Sequence, residues 1–269
     1  MEDGLAAAMS FPLSVRLVGM SENLPRVVSR DEWLVARKEL LVEEKEATRA
    51  RDRLNTRRRL LPMVKIEKEY RFEGPEGTVT LAELFAGRRQ LAVLHFMFNP
   101  SWEDGCPSCT AGVDEIADGL LRHLQARSTS FVVVARAPLE KIAKYRAKRG
   151  WSVPFYSSFG SDFNYDFHVT LDASVAPVQF NYRDPDELRA AGLDWVLNPD
   201  DQPMEQPGLS CFLREGDDIF HTYSTFGRGT EQTASGYEIL DLTALGRQEE
   251  WEDPKGRSDA ARGAVPSFT

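Results

Sequence analysis

The feature that most constrains this chain is an apolar run that leads into a closely spaced pair of cysteines. Leu91-Ala92-Val93-Leu94-His95-Phe96-Met97-Phe98 carries a single polar residue, and its length and composition predict a buried strand. Cys106-Pro107-Ser108-Cys109 comes eight residues later, with Trp102 four residues before the first cysteine. Val113, Ile116, Ala117, Leu120 and Leu124 then recur at helical spacing, which predicts a helix from the cysteine pair to about Gln125. A C-x-x-C pair therefore sits in the turn between a buried strand and an amphipathic helix. At a helix N-terminus the unpaired N–H groups and the helix dipole favour an anion, and the reactive form of cysteine is the thiolate. Cys109, three residues on, lies on the same helical face and can attack a mixed disulfide formed at Cys106. Pro107 suits the first turn, where its missing N–H costs nothing.

The rest of the chain is ordered around that unit. Residues 1–28 show little periodicity and are expected to be a loosely ordered leader, with Met9 and Met20 as alternative starts. Ser29-Arg30-Asp31-Glu32 is a capping box, and a long helix is predicted to about Arg59, with Pro62 ending the 29–61 segment. Trp33, Leu40, Ala47 and Leu54 recur every seven residues along it, widened by Leu34 and Leu41, on an otherwise charged surface. Such a stripe either docks along the domain or forms a homodimer seam. Residues 70–72 and 78–80 flank a Pro/Gly turn and predict a hairpin. Residues 131–135 predict a second buried strand, and 138–150 a second helix, so a parallel β-α-β unit is expected. An aromatic-dense stretch, 151–167, opens an expected insertion to about 207. Residues 207–214 and 219–224 predict an antiparallel pair. Tyr237, Ile239, Leu240, Leu242 and Leu245 predict a closing helix, and the polar end, 248–269, a disordered tail.

The totals exclude several classes. The net charge of −9 argues against a general nucleic-acid binder, which needs a basic field. Three cysteines in 269 residues are too few for a secreted disulfide framework. No apolar run is long enough to span a membrane, and the acidic N-terminus is unlike a secretory signal, so the cytoplasm is the expected compartment.

The order β-α-β with a dithiol at the first strand-helix turn, then a hairpin and a last helix, resembles the thioredoxin fold. With the hairpin at 70–80 in front of the core, the expectation is a thioredoxin-like, peroxiredoxin-type three-layer α/β/α fold over 62–247, preceded by the helical arm. The chain also resembles a family of uncharacterised thioredoxin-like proteins described only as predicted dithiol-disulfide oxidoreductases or isomerases. The stretches that carry this likeness are Ser29 to Leu34, Trp102 to Cys109, Gly160 to Phe167 and Phe220 to Thr225. The resemblance implies a thiol-disulfide oxidoreductase acting through Cys106 and Cys109 on a protein or small-molecule disulfide. No cofactor is called for. It also implies supporting positions. A thioredoxin keeps a buried acid under its cysteines, where this chain has about Met97, and His95 on the same strand face is the candidate for proton handling. A thioredoxin's cis-proline, facing the cysteines, falls near Gly208, beside Pro207. The tryptophan here is separated from Cys106 by Glu103-Asp104-Gly105, and two carboxylates beside a thiol oppose thiolate formation.

Other readings compete. His95 is equally a hydrogen-bonded core histidine. Cys211, just after the Gly208 loop, is an extra redox partner, a metal ligand or a small buried hydrophobe. Cys106, Cys109, Cys211 and a histidine would suit structural zinc, making the chain a non-enzymatic module. A thiol peroxidase would oxidise Cys106 to a sulfenic acid. Asp162, Asp166 and His168 invite a metal reading, though turn chemistry also explains the aspartates. The rings of 155–167 either line a substrate groove or pack the core.

Overall fold

The computed structural model describes residues 24–233 and 235–243. Most of the expected leader, Leu245 and the expected tail lie outside the described residues. Helix α1 (Arg30–Arg59) starts as expected. Ser29 is its N-cap, with Glu32 N–H donating to Ser29 Oγ and Ser29 N–H donating to Glu32 Oε2. Three arginines occupy its last turn, where the helix dipole favours cations.

Next come β1 (Val64–Lys65), the hairpin β2 (Arg71–Gly74) and β3 (Gly77–Thr80), and the short α2 (Leu81–Leu84). The central unit is β4 (Gln90–His95), α3 (Pro107–Asp114), α4 (Asp118–Gln125), β5 (Thr129–Ala135), α5 (Leu139–Arg149) and β6 (Phe155–Ser157). Then α6 (Phe163–Asp166), β7 (Thr170–Leu171), α7 (Pro185–Ala190) and β8 (Met204–Glu205) lead to the long pair β9 (Gly208–Glu215) and β10 (Asp218–Phe226). Helix α8 (Ser235–Leu240) follows.

The main sheet runs β1-β10-β9-β4-β5-β6-β2-β3. Strands β4, β5 and β6 are parallel, and β9 is antiparallel to β4. The chain therefore has the thioredoxin-like α/β fold, with the hairpin added beside β6. Of the residues between 151 and 207, Phe155–Ser157 joins this sheet. Strands β7 and β8 form a separate pair over a small core of Leu171, Val178, Leu188 and Val196.

Side chains alternate along a strand, so the sheet divides the core in two. Leu91 and Val93 of β4 and Val132 and Val134 of β5 meet Phe72, Leu84, Phe163 and Phe167 on one face. Leu94, Phe96 and Val133 meet Val113, Ile142, Tyr145 and Phe155 on the other, where Cys109, Ile116 and Leu121 also pack. Helices lie on both sides, α2 and α6 on the first and α3, α4 and α5 on the second. The aromatic stretch supplies both cores, and Phe159 is its exposed exception at 55%.

Three expectations need correction. The strand predicted over 91–98 ends its ladder at His95, because the chain doubles back and Cys106 N–H donates to the Met97 carbonyl at 3.0 Å. The helix predicted to Gln125 breaks between Asp114 and Asp118. Ala117 turns extended to cap α4, and the break brings Ile116 and Leu121 onto the core together. The closing helix predicted over Tyr237 to Leu245 ends at Leu240, and Ile239 and Leu242 are exposed.

Phe163 is fully buried and meets Tyr70, Phe72 and Phe167 at ring separations of 5.2, 4.8 and 4.6 Å. Phe163→Ala is expected to cost about 3–5 kcal/mol in urea unfolding. Phe159→Ala should stay within about 0.5 kcal/mol of the unchanged protein.

Candidate active site

The site forms where the chain leaves β4 and re-enters helix at α3. Cys106 is the N-cap residue and Pro107 the first helical position, as expected from the sequence. Cys106 N–H is tied to Met97 O, and its carbonyl accepts both Thr110 N–H and Thr110 Oγ–H at 2.9 Å. Thr110 Oγ also shares a 2.9 Å hydrogen bond with the Tyr145 hydroxyl of α5. Gly105 permits this path: a Cβ there would lie 2.3 Å from the Phe96 ring. Lys141, also on α5, donates to the carbonyls of Pro100 and Trp102 at 2.8 and 2.9 Å. This holds the loop between strand and helix, and Trp102 stays partly exposed.

The two thiols are free and differ in character. The Cys106 pKa is brought down to about 6, first by the neighbouring Cys109 thiol and then by the backbone N–H groups of Cys109 and Ser108 at the head of α3, against the opposing effect of burial. The Cys109 thiol is pushed well up, first by the neighbouring Cys106 sulfur and then by burial. At neutral pH the pair is thus one thiolate beside one thiol. The opposing effect expected from the neighbouring acids is blunted at Asp104, which is paired with Lys148 at 2.9 Å.

The other sequence candidates are placed elsewhere. His95 lies on the opposite face of the sheet from Cys109, against Phe163 and Phe167 at 5.5 and 6.2 Å. Burial and the nearby His221 press its pKa down to about 3, so it stays neutral. Its Nε2 shares a 2.8 Å hydrogen bond with Ser210 Oγ. The chain of hydrogen bonds continues through Ser224 Oγ to His221 Nε2 at 2.8 and 2.7 Å. His95 is a core histidine, because strand alternation aims it away from the cysteines. Gly208 pairs with His95, and its closest neighbours are Val169, Phe226 and His95. Among the described residues the cis bond is Gln202–Pro203, not the one before Pro207. Cys211 shares the cysteine face but sits opposite Ala92, three residues down β4 from His95, or ~10 Å along the strand. Burial raises its pKa to about 11, so it remains a thiol.

Among the described residues no group of three or more His, Cys, Asp or Glu is placed to hold a metal ion. Asp162 and Asp166 instead share the Lys68 ammonium, 2.7 Å from each, and Tyr70 donates to Asp166. The lysine meets the charge a cation would have met.

One group was not singled out from the sequence. Glu205 is buried in β8 and accepts from Arg136 Nε at 2.7 Å, Thr170 Oγ at 2.8 Å and Asn99 Nδ2 at 3.2 Å. Burial raises its pKa, although the Arg136 charge and these hydrogen bonds pull the other way. Asn99 Oδ1 in turn accepts Ser101 N–H and Oγ–H, which shapes the first turn of the cysteine loop. No local signal marks Glu205, since Arg136 is 69 residues away in the chain.

A family model described as "Bacterial protein of unknown function (DUF899)" matches residues 22–262. The chain belongs to the DUF899 family. No curated protein sequence matches this DUF899 chain. Solved structures similar to it include peroxiredoxin Q of Xanthomonas campestris, at TM-score 0.40 and 14% identity over 65% of this chain and 91% of that one. A cysteine-to-serine mutant of Xylella fastidiosa PrxQ gives TM-score 0.38 and 10% identity over 63% and 88%. BsSco, of the Sco family of cytochrome c oxidase assembly proteins, gives 0.34 and 13% over 62% and 85%. The strand order itself carries the fold assignment. No described helix is long and apolar enough to cross a membrane.

The rate of Cys106 alkylation should rise with pH through a midpoint near 6, because the thiolate forms as pH climbs through the depressed pKa. Cys109→Ala removes the neighbouring thiol, the largest cause of the depression, and should move that midpoint up toward the ordinary thiol value of about 8.5. Cys109→Ser keeps a hydroxyl donor and should leave it low. Separately, Glu205→Ala strands the Arg136 charge and should cost about 3–5 kcal/mol in urea unfolding. Replacing both partners by apolar residues (Glu205→Leu with Arg136→Met) should recover most of that loss.

Proposed function

We propose that this protein is a thiol-disulfide oxidoreductase with Cys106 as the attacking sulfur and Cys109 as the resolving one. The observation that carries the reading is the placement of two free cysteines at the head of α3, Cys106 as its N-cap and Cys109 in its first turn against the apolar core. The Cys106 thiolate attacks one sulfur of a substrate disulfide. That S–S bond breaks, and the departing thiolate takes a proton from water. The result is a mixed disulfide between Cys106 and the substrate. Cys109 then gives up its proton, attacks Cys106 Sγ and expels the second substrate thiol. Two electrons have passed from the dithiol to the substrate, leaving a Cys106–Cys109 disulfide. An external dithiol returns the pair to its reduced state by the reverse exchange.

A low pKa serves this sequence twice: it populates the nucleophile at neutral pH and makes Cys106 the better leaving group when the pair is reduced again. The high pKa of Cys109 keeps it a thiol until Cys106 is engaged. The depressed pKa of Cys106 also suits one second reading, a peroxide as oxidant. There the Cys106 thiolate would take one peroxide oxygen to become a sulfenic acid, the other oxygen leaving with a proton as water or an alcohol, and the Cys109 thiol would then displace that hydroxyl as water to reach the same disulfide.

The test is turnover of a model disulfide, with peroxide consumption measured on the same samples. Cys106→Ser should fall to background in both assays. Cys109→Ser should retain the first step and accumulate a covalent adduct with the disulfide substrate, visible by intact mass. Unchanged turnover in both variants would falsify the proposal. Fast peroxide loss with a slow disulfide reaction would favour the second reading.

A further inference from the structure

The 30 residues of α1 make a helix of about 45 Å. None of its residues is buried, and Trp33, Leu34, Leu40 and Leu41 are exposed at 45, 38, 49 and 39%. A helix gains most of its stability from packing an apolar face, so a stripe of this kind with nothing on it is half of an interface. Its base is tied to the domain by Arg58, whose guanidinium lies 5.4 Å from the Tyr223 ring centre, and the chain then continues to β1.

The charge along α1 is uneven in a way that identifies the other half. In its first part, residues 30–46, Asp31, Glu32, Glu39, Glu43, Glu44 and Glu46 outnumber the bases. In residues 47–59, Arg49, Arg51, Arg53, Arg57, Arg58 and Arg59 face a single acid, Asp52. The helix is therefore acidic at one end and strongly basic at the other. We propose that α1 pairs antiparallel with α1 of a second copy of this chain. The acidic half of each helix then lies along the arginine-rich half of the other. A parallel pair would set arginine cluster against arginine cluster. In the antiparallel pair the arginine stems also cover the apolar stripe while their heads reach the partner's carboxylates. Trp33 can take a guanidinium on its face, as it already does from Arg30 at 4.4 Å. The acidic total disfavours nucleic acid as the occupant of the basic half.

The test is analytical ultracentrifugation of the full chain across a wide concentration range, with circular dichroism confirming that each variant is folded. The unchanged protein is expected to dimerise. Leu40→Glu with Leu41→Glu should give a monomer. Arg51→Glu, Arg53→Glu and Arg57→Glu together should weaken dimerisation roughly tenfold or more. Adding Glu39→Lys, Glu43→Lys and Glu46→Lys to that triple should restore it, because the charges have only changed places. A monomer at every concentration overturns the proposal, as does a dimer indifferent to these variants. A dimer strengthened by the arginine reversal means a parallel pair and overturns it too.

Discussion

Strand β4 is hydrogen-bonded on both edges, to β5 and β9, and covered on both faces. Its backbone groups are committed to the ladder, so the chain can become irregular only past its carboxyl end. There it does so abruptly. The ladder stops at His95, the Met97 carbonyl is handed to Cys106 N–H, and the loop between them is held by Lys141 and by Asn99. The open end of a parallel strand is where α/β folds place their chemistry, because loop and helix N-terminus converge there on a rigid frame. Here the converging groups are two sulfurs.

The asymmetry of those sulfurs is a consequence of helix geometry. Cys106, as N-cap, faces N–H groups that have no partner within the helix, whereas Cys109 sits in the first turn and packs against the apolar core. One environment favours an anion and the other a neutral thiol. The supports are arranged around the same point. Tyr145 and Thr110 fix the first turn of α3, and its far end is held by Asp114, which accepts from Arg149 and from Trp151 Nε1 at 2.8 Å. Glu205 and Arg136 form a buried pair behind Asn99. Removing either charge leaves the other uncompensated, so the pair's weight lies in holding the loop's shape rather than in net stability.

Much of this is legible in the sequence because its causes are local. The Ser29 and Glu32 capping box, the apolar run of β4, the hairpin turn and the C-x-x-C at the head of a helix are each written within a few residues. What is not legible depends on distant partners. The break after Asp114 is set by how Ile116 and Leu121 meet the core. Alternation along β4 puts His95 on the face of Leu91 and Val93, whereas the cysteines lie on the face of Leu94 and Phe96, so no extension of the strand would bring His95 beneath them. The Glu205–Arg136 pair joins residues far apart in the chain, and nothing near either one announces the other. The aspartates 162 and 166 resemble ligands only while Lys68 is out of view.

The most direct measurement is mass spectrometry of differentially alkylated protein equilibrated across a series of dithiol redox buffers. One reversible two-electron transition is expected. In it Cys106 and Cys109 lose and regain label together, Cys106 labels fastest in the reduced form at neutral pH, and Cys211 never joins. Thiols that fail to pair at any potential, or a disulfide that includes Cys211, would contradict the redox assignment.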